Sequence, residues 1–165
     1  MLSNGSGKRV LDAIDQNIIS SLQKSARITN QQLAEQVGLS PSSCLARVRK
    51  LEEDGCIGPY QGTVNLDRLC RYITCIAMVT LESHRQQDFR VFEQFIEGVS
   101  EVVQCDTVSG GCDFILRIVC ADMERYHEVN EKLLNSGANV VNIKTHVVMT
   151  ENKKFTGYPL DALLQ

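Results

Sequence analysis

The sequence predicts an α+β protein: a small helical domain, then strands and helices in the order β-α-β-β-α-β. Three observations carry this. Residues 28–54, ITNQQLAEQVGLSPSSCLARVRKLEED, hold two capped helices around a glycine turn. Apolar residues recur at helical spacing just before them. Past residue 70 the rhythm changes, and β-rich runs alternate with amphipathic stretches.

In the first part, Asp12 caps a helix whose buried stripe is Ile14, Ile18, Ile19 and Leu22, over residues 13–25. Thr29 and Gln32 form a capping box for the second helix, which carries Leu33, Ala34 and Val37. Gly38 stops it, since glycine takes the left-handed position after a helix without a Cβ penalty. Ser40 caps the third helix and Pro41 fills its first position, where a missing N–H costs nothing. Leu45, Val48 and Leu51 are expected on its apolar face, with Ser42, Ser43, Arg47, Arg49 and Lys50 opposite. Gly55 ends it. This pattern is a helix-turn-helix. An αα-hairpin that only packs shares the geometry. The two caps, the glycine turn and the polar, cationic face of the second helix favour a helix that enters the DNA major groove. Residues 56–64, broken by Gly and Pro, read as a link, with a short strand against this domain in the manner of a wing.

The second part begins with a β run at 72–82, YITCIAMVTLE. Phe89, Phe92, Phe95 and Ile96 then mark a helix over 87–97. Strands follow at 99–108 and 112–120, with Ser109-Gly110-Gly111 turning between them. Asp122 caps a helix containing Tyr126, Val129, Leu133 and Leu134, which Gly137 ends, and 139–150 is the last strand. This order is ferredoxin-like: a four-stranded antiparallel sheet with two helices on one face. On the first strand Ile73, Cys75, Ala77, Val79 and Leu81 face one side, and Thr74, Ile76, Met78 and Thr80 the other. A solvated sheet face reads polar, so two apolar faces predict sheet-on-sheet association between chains, or cover by the chain's own tail. The expected organisation is a mobile start at 1–8, a helix-turn-helix domain at 9–60, a linker at 61–70, the ferredoxin-like domain at 71–151 and a tail at 152–165.

Composition narrows the functional classes. The 165 residues carry a net charge of −3. Residues 1–64 hold seven Lys/Arg against six Asp/Glu, and the remainder ten against fourteen. DNA affinity must therefore come from local placement of cations and from more than one copy. Seven cysteines without a CxxC pair indicate a reducing compartment, in which Cys acts as a small hydrophobe. Cys70, Cys75 and His84 fit no zinc template. The polar start MLSNGSGK lacks a signal-peptide core, and no run is long and apolar enough to span a membrane. A cytoplasmic protein with no cofactor and no metal is expected.

The residues resemble the Lrp/AsnC (feast/famine) family of transcriptional regulators. The likeness rests on Leu11-Asp12-x-x-Asp15-x-x-Ile18-Ile19-x-x-Leu22-Gln23, Ala26-Arg27, Leu33-Ala34-Glu35 and Val37-Gly38-Leu39-Ser40. It continues in Arg47-Val48-x-x-Leu51-Glu52-x-x-Gly55-x-Ile57 and Val108-Ser109-Gly110-x-x-Asp113-Phe114, and spans about residues 9–151. The resemblance implies a DNA-binding regulator of amino-acid metabolism genes. It also implies dimerisation through the C-terminal sheets, further assembly, often to octamers, and a small effector, typically an amino acid, bound between dimers. On the recognition helix from Pro41 to Glu53 it implies base or phosphate contacts from Ser42, Ser43 and Arg47, with Ser40 and Lys50 on backbone phosphate. The effector region maps to Ser109, Gly110, Gly111, Cys112 and Asp113, with Met123 and His146 at positions tied to effector response. Gly111 and Cys112 stand where the family usually has an acidic or aromatic residue, which removes bulk and charge from the turn.

Several residues admit plainer readings. Cys44 and Cys112 are each either redox-sensitive or small packing residues, and packing is favoured for both. His146 is either a ligand or a partly buried strand residue with one hydrogen bond. Asp113 lacks the nucleophile–base partners or phosphate-binding glycine motif of a catalytic site, so no enzyme is expected. The alternative function is a ferredoxin-like sensor or assembly protein whose helical domain binds protein rather than DNA.

Overall fold

The computed structural model describes residues 10–164. The start at 1–8, expected to be mobile, lies outside the described residues. The chain divides into two compact units, one formed by residues up to Gly62 together with those from Lys153 onward, the other by Thr63–Asn152.

The first unit contains α1 (Ala13–Lys24), α2 (Asn30–Val37) and α3 (Pro41–Glu53). Its helix starts follow the expected chemistry. Asp12 accepts from the Asp15 N–H, the Thr29–Gln32 capping box is complete, and Ser40 accepts from the Ser43 N–H. Gly38 ends α2 at φ +69°, in the left-handed region where a Cβ is penalised. Ile18, Leu33, Ala34, Cys44 and Leu51 form the core, with Val48 and Ile57 packed against it. Leu45 departs from expectation: it is 39% exposed. Steps of 100° per residue bring Cys44, Val48 and Leu51 to one side of α3 and leave Leu45 outside it. The buried Cys44 is the packing residue, and burial pushes its thiol pKa up, away from reactive thiolate.

Residues 56–62 form no strand. The N–H groups of Cys56 and Ile57 both turn back to the Leu51 carbonyl, at 2.9 and 3.2 Å, which folds the link onto the end of α3. Tyr60 Oη donates to Glu52 Oε1 at 2.9 Å and pins the extended arm that follows. The tail from Lys153 onward belongs to this unit. The Tyr158 N–H donates to Gln23 Oε1 at 2.7 Å, and Gln23 Nε2 donates to the Tyr158 carbonyl at 3.4 Å. One amide side chain thus engages both polar groups of a peptide strand 135 residues away. Beyond this clasp the short α6 (Leu160–Leu163) ends the described chain.

The second unit opens with a 3-10 turn at Leu66–Arg68 and then has β1 (Ile73–Leu81), α4 (Gln86–Glu97), β2 (Val102–Thr107), β3 (Phe114–Cys120), α5 (Met123–Leu134) and β4 (Val140–Val147). The strands lie in the order β2-β3-β1-β4, all neighbours antiparallel. Cys75, Ala77, Val79 and Leu81 of β1 and Phe114, Leu116 and Ile118 of β3 are buried with Phe92, Val129 and Leu133 of the two helices. The strands are shorter than the apolar runs suggest. Val99 and Val102 make turn hydrogen bonds before β2, and the Asp113 N–H donates to the Val79 carbonyl before β3 begins.

The other sheet face has a mixed character. Its centre is aliphatic, with Ile76 and Met78 beside Ile115 and Val119. Across the sheet run two rows, Gln104–Arg117–Ile76–His146 and Asp106–Ile115–Met78–Lys144, so the edges are polar and opposite in charge. Phe114 anchors the covered side, with ring centroids 4.6 Å from Phe92 and 5.1 Å from Phe89. Phe114→Ala is expected to destabilise this unit by roughly 3–5 kcal/mol, the cost of emptying a buried aromatic site. Urea unfolding followed by circular dichroism measures it.

Candidate functional site

Two places in the fold carry the residues singled out above. The first is the N-terminal end of α3. Ser40, Ser42 and Ser43 are exposed there. Ser40 Oγ donates to Ser43 Oγ at 2.9 Å and lies 3.2 Å from Ser42 Oγ, a cluster of hydroxyls over a helix N-terminus. The partial positive charge of that terminus suits a phosphate. Asn30 Nδ2 donates to the Pro41 carbonyl at 2.8 Å, so the start of α2 fixes the start of α3. Sequence spacing gave no sign of this bond.

Arg47 is held by two carboxylates at the start of the first helix. Its Nη1 is 2.7 Å from Asp12 Oδ2 and 2.8 Å from Asp15 Oδ1, and Asp15 is buried. The guanidinium therefore ties α3 to the first turn of α1. Ser42, Ala46, Arg49 and Glu53 follow one another along the exposed side of α3, and Lys50 is exposed beside them. Arg49, named above only as part of the cationic face, joins the candidate set.

The second place is the turn between β2 and β3. Ser109, Gly110 and Gly111 are exposed, and Cys112 is buried as a small packing residue. Gly110 has φ +127°, a conformation that requires glycine. A Cβ built at Gly110 or Gly111 would meet nothing within 4 Å, so the backbone there is open to approach. Asp113 points inward. Its side chain is 7% exposed, Oδ2 accepts from the Leu81 N–H at 2.8 Å, and Oδ1 lies 3.0 Å from His84 Nδ1. His84 stands beside the turn because the register Val79↔Phe114 brings the end of β1 next to Asp113.

The two remaining effector candidates are not at this turn. Met123 begins α5, beyond the far end of β3, which at seven residues spans roughly 20 Å. Of the two readings of His146, the partly buried strand residue does not match the structure: it is exposed, paired in register with Ile76 on the uncovered sheet face. A single chain thus unites residues 109–113 and leaves Met123 and His146 elsewhere. Among the described residues no group of three or more His, Cys, Asp or Glu is placed to hold a metal ion, and no helix is long and apolar enough to cross a membrane.

The ion pairs of α3 generate a prediction. Arg47→Ala removes the guanidinium from a buried carboxylate and is expected to lower the melting temperature of the helical unit. The Asp15 N–H, and after it the Arg47 guanidinium, hold the Asp12 carboxyl below the usual carboxylate range. A folded-state pKa lowered in this way stabilises the fold above the ordinary carboxylate pKa, and the contribution is lost as pH falls through the lowered value. Thermal melts from about pH 6 to pH 2 are expected to show this loss in the parent and less of it in Arg47→Ala.

Known proteins are similar to both parts of the chain. Residues 74–158 match the family model of the Lrp/AsnC ligand binding domain, and residues 11–57 that of a winged helix-turn-helix DNA-binding domain. The leucine-responsive regulatory protein of Haemophilus influenzae is 36% identical over 146 residues, covering 88% of each chain. That of Escherichia coli is 36% identical over 144 residues, covering 87% of this chain and 88% of its own. A transcriptional regulator of Neisseria meningitidis, solved as a complex with L-Met, superposes with a TM-score of 0.85 at 28% identity, covering 93% of this chain and 99% of its own. An AsnC family transcriptional regulator of Agrobacterium tumefaciens gives the same TM-score, 0.85, at 27% identity. With a helix-turn-helix in one unit and the antiparallel ligand-binding sheet in the other, the chain belongs to the Lrp/AsnC family of DNA-binding transcriptional regulators.

Proposed function

We propose that this regulator responds to a free amino acid, controls genes of amino-acid metabolism, and acts in the cytoplasm as a homo-oligomer. The observation that carries the reading is the bare backbone at Gly110 and Gly111, where a built Cβ meets nothing within 4 Å and a carboxylate has room to approach the main chain. The amino acids named with its relatives, leucine and methionine, fit that chemistry. The effector acts by changing assembly or DNA affinity. Met123 and His146 lie away from the turn, so they reach a ligand there only from another copy.

The assembly surface is the uncovered face of the sheet. Its aliphatic centre is flanked by Asp106 on the β2 edge and Lys144 on the β4 edge. A two-fold axis lying between two such faces and parallel to their strands sets each acidic edge against a basic one, a self-complementary arrangement. Paired helical units then add their contacts on half-sites about one helical turn apart, which offsets the weak net charge of each.

On DNA, Ser40 and Lys50 hold backbone phosphate, and Ser42, Ser43 and Arg49 reach bases or phosphate from the exposed side of α3. Arg47 seats the helix. Arg49→Ala is expected to weaken specific binding by roughly 1–3 kcal/mol, and Lys50→Ala to weaken all sequences alike and flatten the salt dependence. Gel shifts with genomic fragments at two salt concentrations separate these effects, and an unchanged operator affinity in Arg49→Ala moves recognition off this face. The effector reading is tested by thermal shift with each common L-amino acid. No change in melting, assembly or operator affinity leaves the C-terminal unit as an assembly module alone.

A further inference from the structure

The turn offers an amino acid its carboxylate partners, but its own carboxylate is out of reach. Asp113 is buried, and each of its oxygens is engaged, one by the Leu81 N–H and the other by His84. A ligand ammonium therefore needs another acceptor. His84 is a polar side chain that the fold sets beside this turn, and it is 82% exposed. Because Nδ1 faces a carboxylate oxygen at 3.0 Å, Nδ1 carries the hydrogen and donates it. In the neutral ring this leaves the lone pair on Nε2, away from Asp113.

We infer that His84 is the effector-contacting side chain of this turn, accepting the ammonium of a free amino acid on Nε2, and that Asp113 is the positioning residue that fixes its tautomer. This rests on the amino-acid reading above and gives it a polarity. The carboxylate meets the backbone N–H groups at Gly110 and Gly111, and the ammonium meets the imidazole. A buried carboxylate that orients an exposed histidine through Nδ1 is a common way to commit the other ring nitrogen to a ligand. Asp113 also joins the end of β1 to the turn through Leu81, so the acceptor and the open backbone are fixed to one another.

The test uses the full chain and thermal shift with each common L-amino acid. For those that shift the parent, the α-hydroxy analogue, which replaces the ammonium with a hydroxyl, is titrated in parallel. His84→Ala is expected to weaken the amino acid about tenfold or more and to bring it level with its α-hydroxy analogue. His84→Gln, which keeps an acceptor oxygen, is expected to recover part of the loss. A role confined to holding the loop would weaken both ligands equally and would not respond to glutamine. Parent affinity in His84→Ala, or equal losses for both ligands, overturns the assignment. A parent that responds to no amino acid is a different failure: it removes the effector reading itself, and the assignment with it.

Discussion

From Ile73 to Leu81 the strand β1 is apolar at every position except two threonines, and much of the second unit follows from having to cover both of its sides. One side is covered by the chain itself. Cys75, Ala77, Val79 and Leu81 close against α4 and α5, and the sequential order of the elements places both helices on that face. The opposite side has no helix left to cover it. Two antiparallel neighbours, β3 and β4, flank β1 and remove its edges, so the unmet demand is a demand for a surface and not for a strand. A second copy meets it with no change in the fold.

The buried charges show a related economy. Asp15 and Asp113 are the buried acidic residues of the described chain, and both are spent on architecture. Asp15 takes Arg47 from α3, and Asp113 takes the Leu81 N–H from β1. A charge removed from water must be paired or hydrogen-bonded, so each holds two elements in a fixed relation. Residues that look functional when read in sequence, an arginine on a recognition helix and an aspartate in a glycine turn, are thereby converted into supports. Their neighbours Arg49 and His84 are exposed.

This division explains which features were legible from the sequence. The caps at Asp12, Thr29 and Ser40, the stops at Gly38 and Gly55, and the strand and helix order depend on residues within a few positions of one another. Local chemistry dictates them. The placement of Cys44 inside and Leu45 outside needed only stricter helical geometry. The partners of Arg47 lie 35 and 32 residues away, the Leu81 N–H lies 32 residues from Asp113, and Tyr158 lies 135 residues from Gln23. No spacing rule reaches that far. The candidate effector residues were scattered for the same reason: a strand length separates Met123 from the turn.

The clasp on Gln23 gives the chain an order of completion. The core of the helical unit, from Ile18 to Leu51 with Ile57 at its margin, uses no residue beyond the first link. It can close while the sheet is still being synthesised, since domains fold as units from the N-terminus. Tyr158 arrives only after β4 has been made, and it docks on a helix that was finished long before. The ninety residues of Thr63–Asn152 are thus an insertion within the helical unit, held at both ends. A cut in the first link leaves the three helices attached to the rest only through the non-covalent hold of the tail, with its two hydrogen bonds at Gln23.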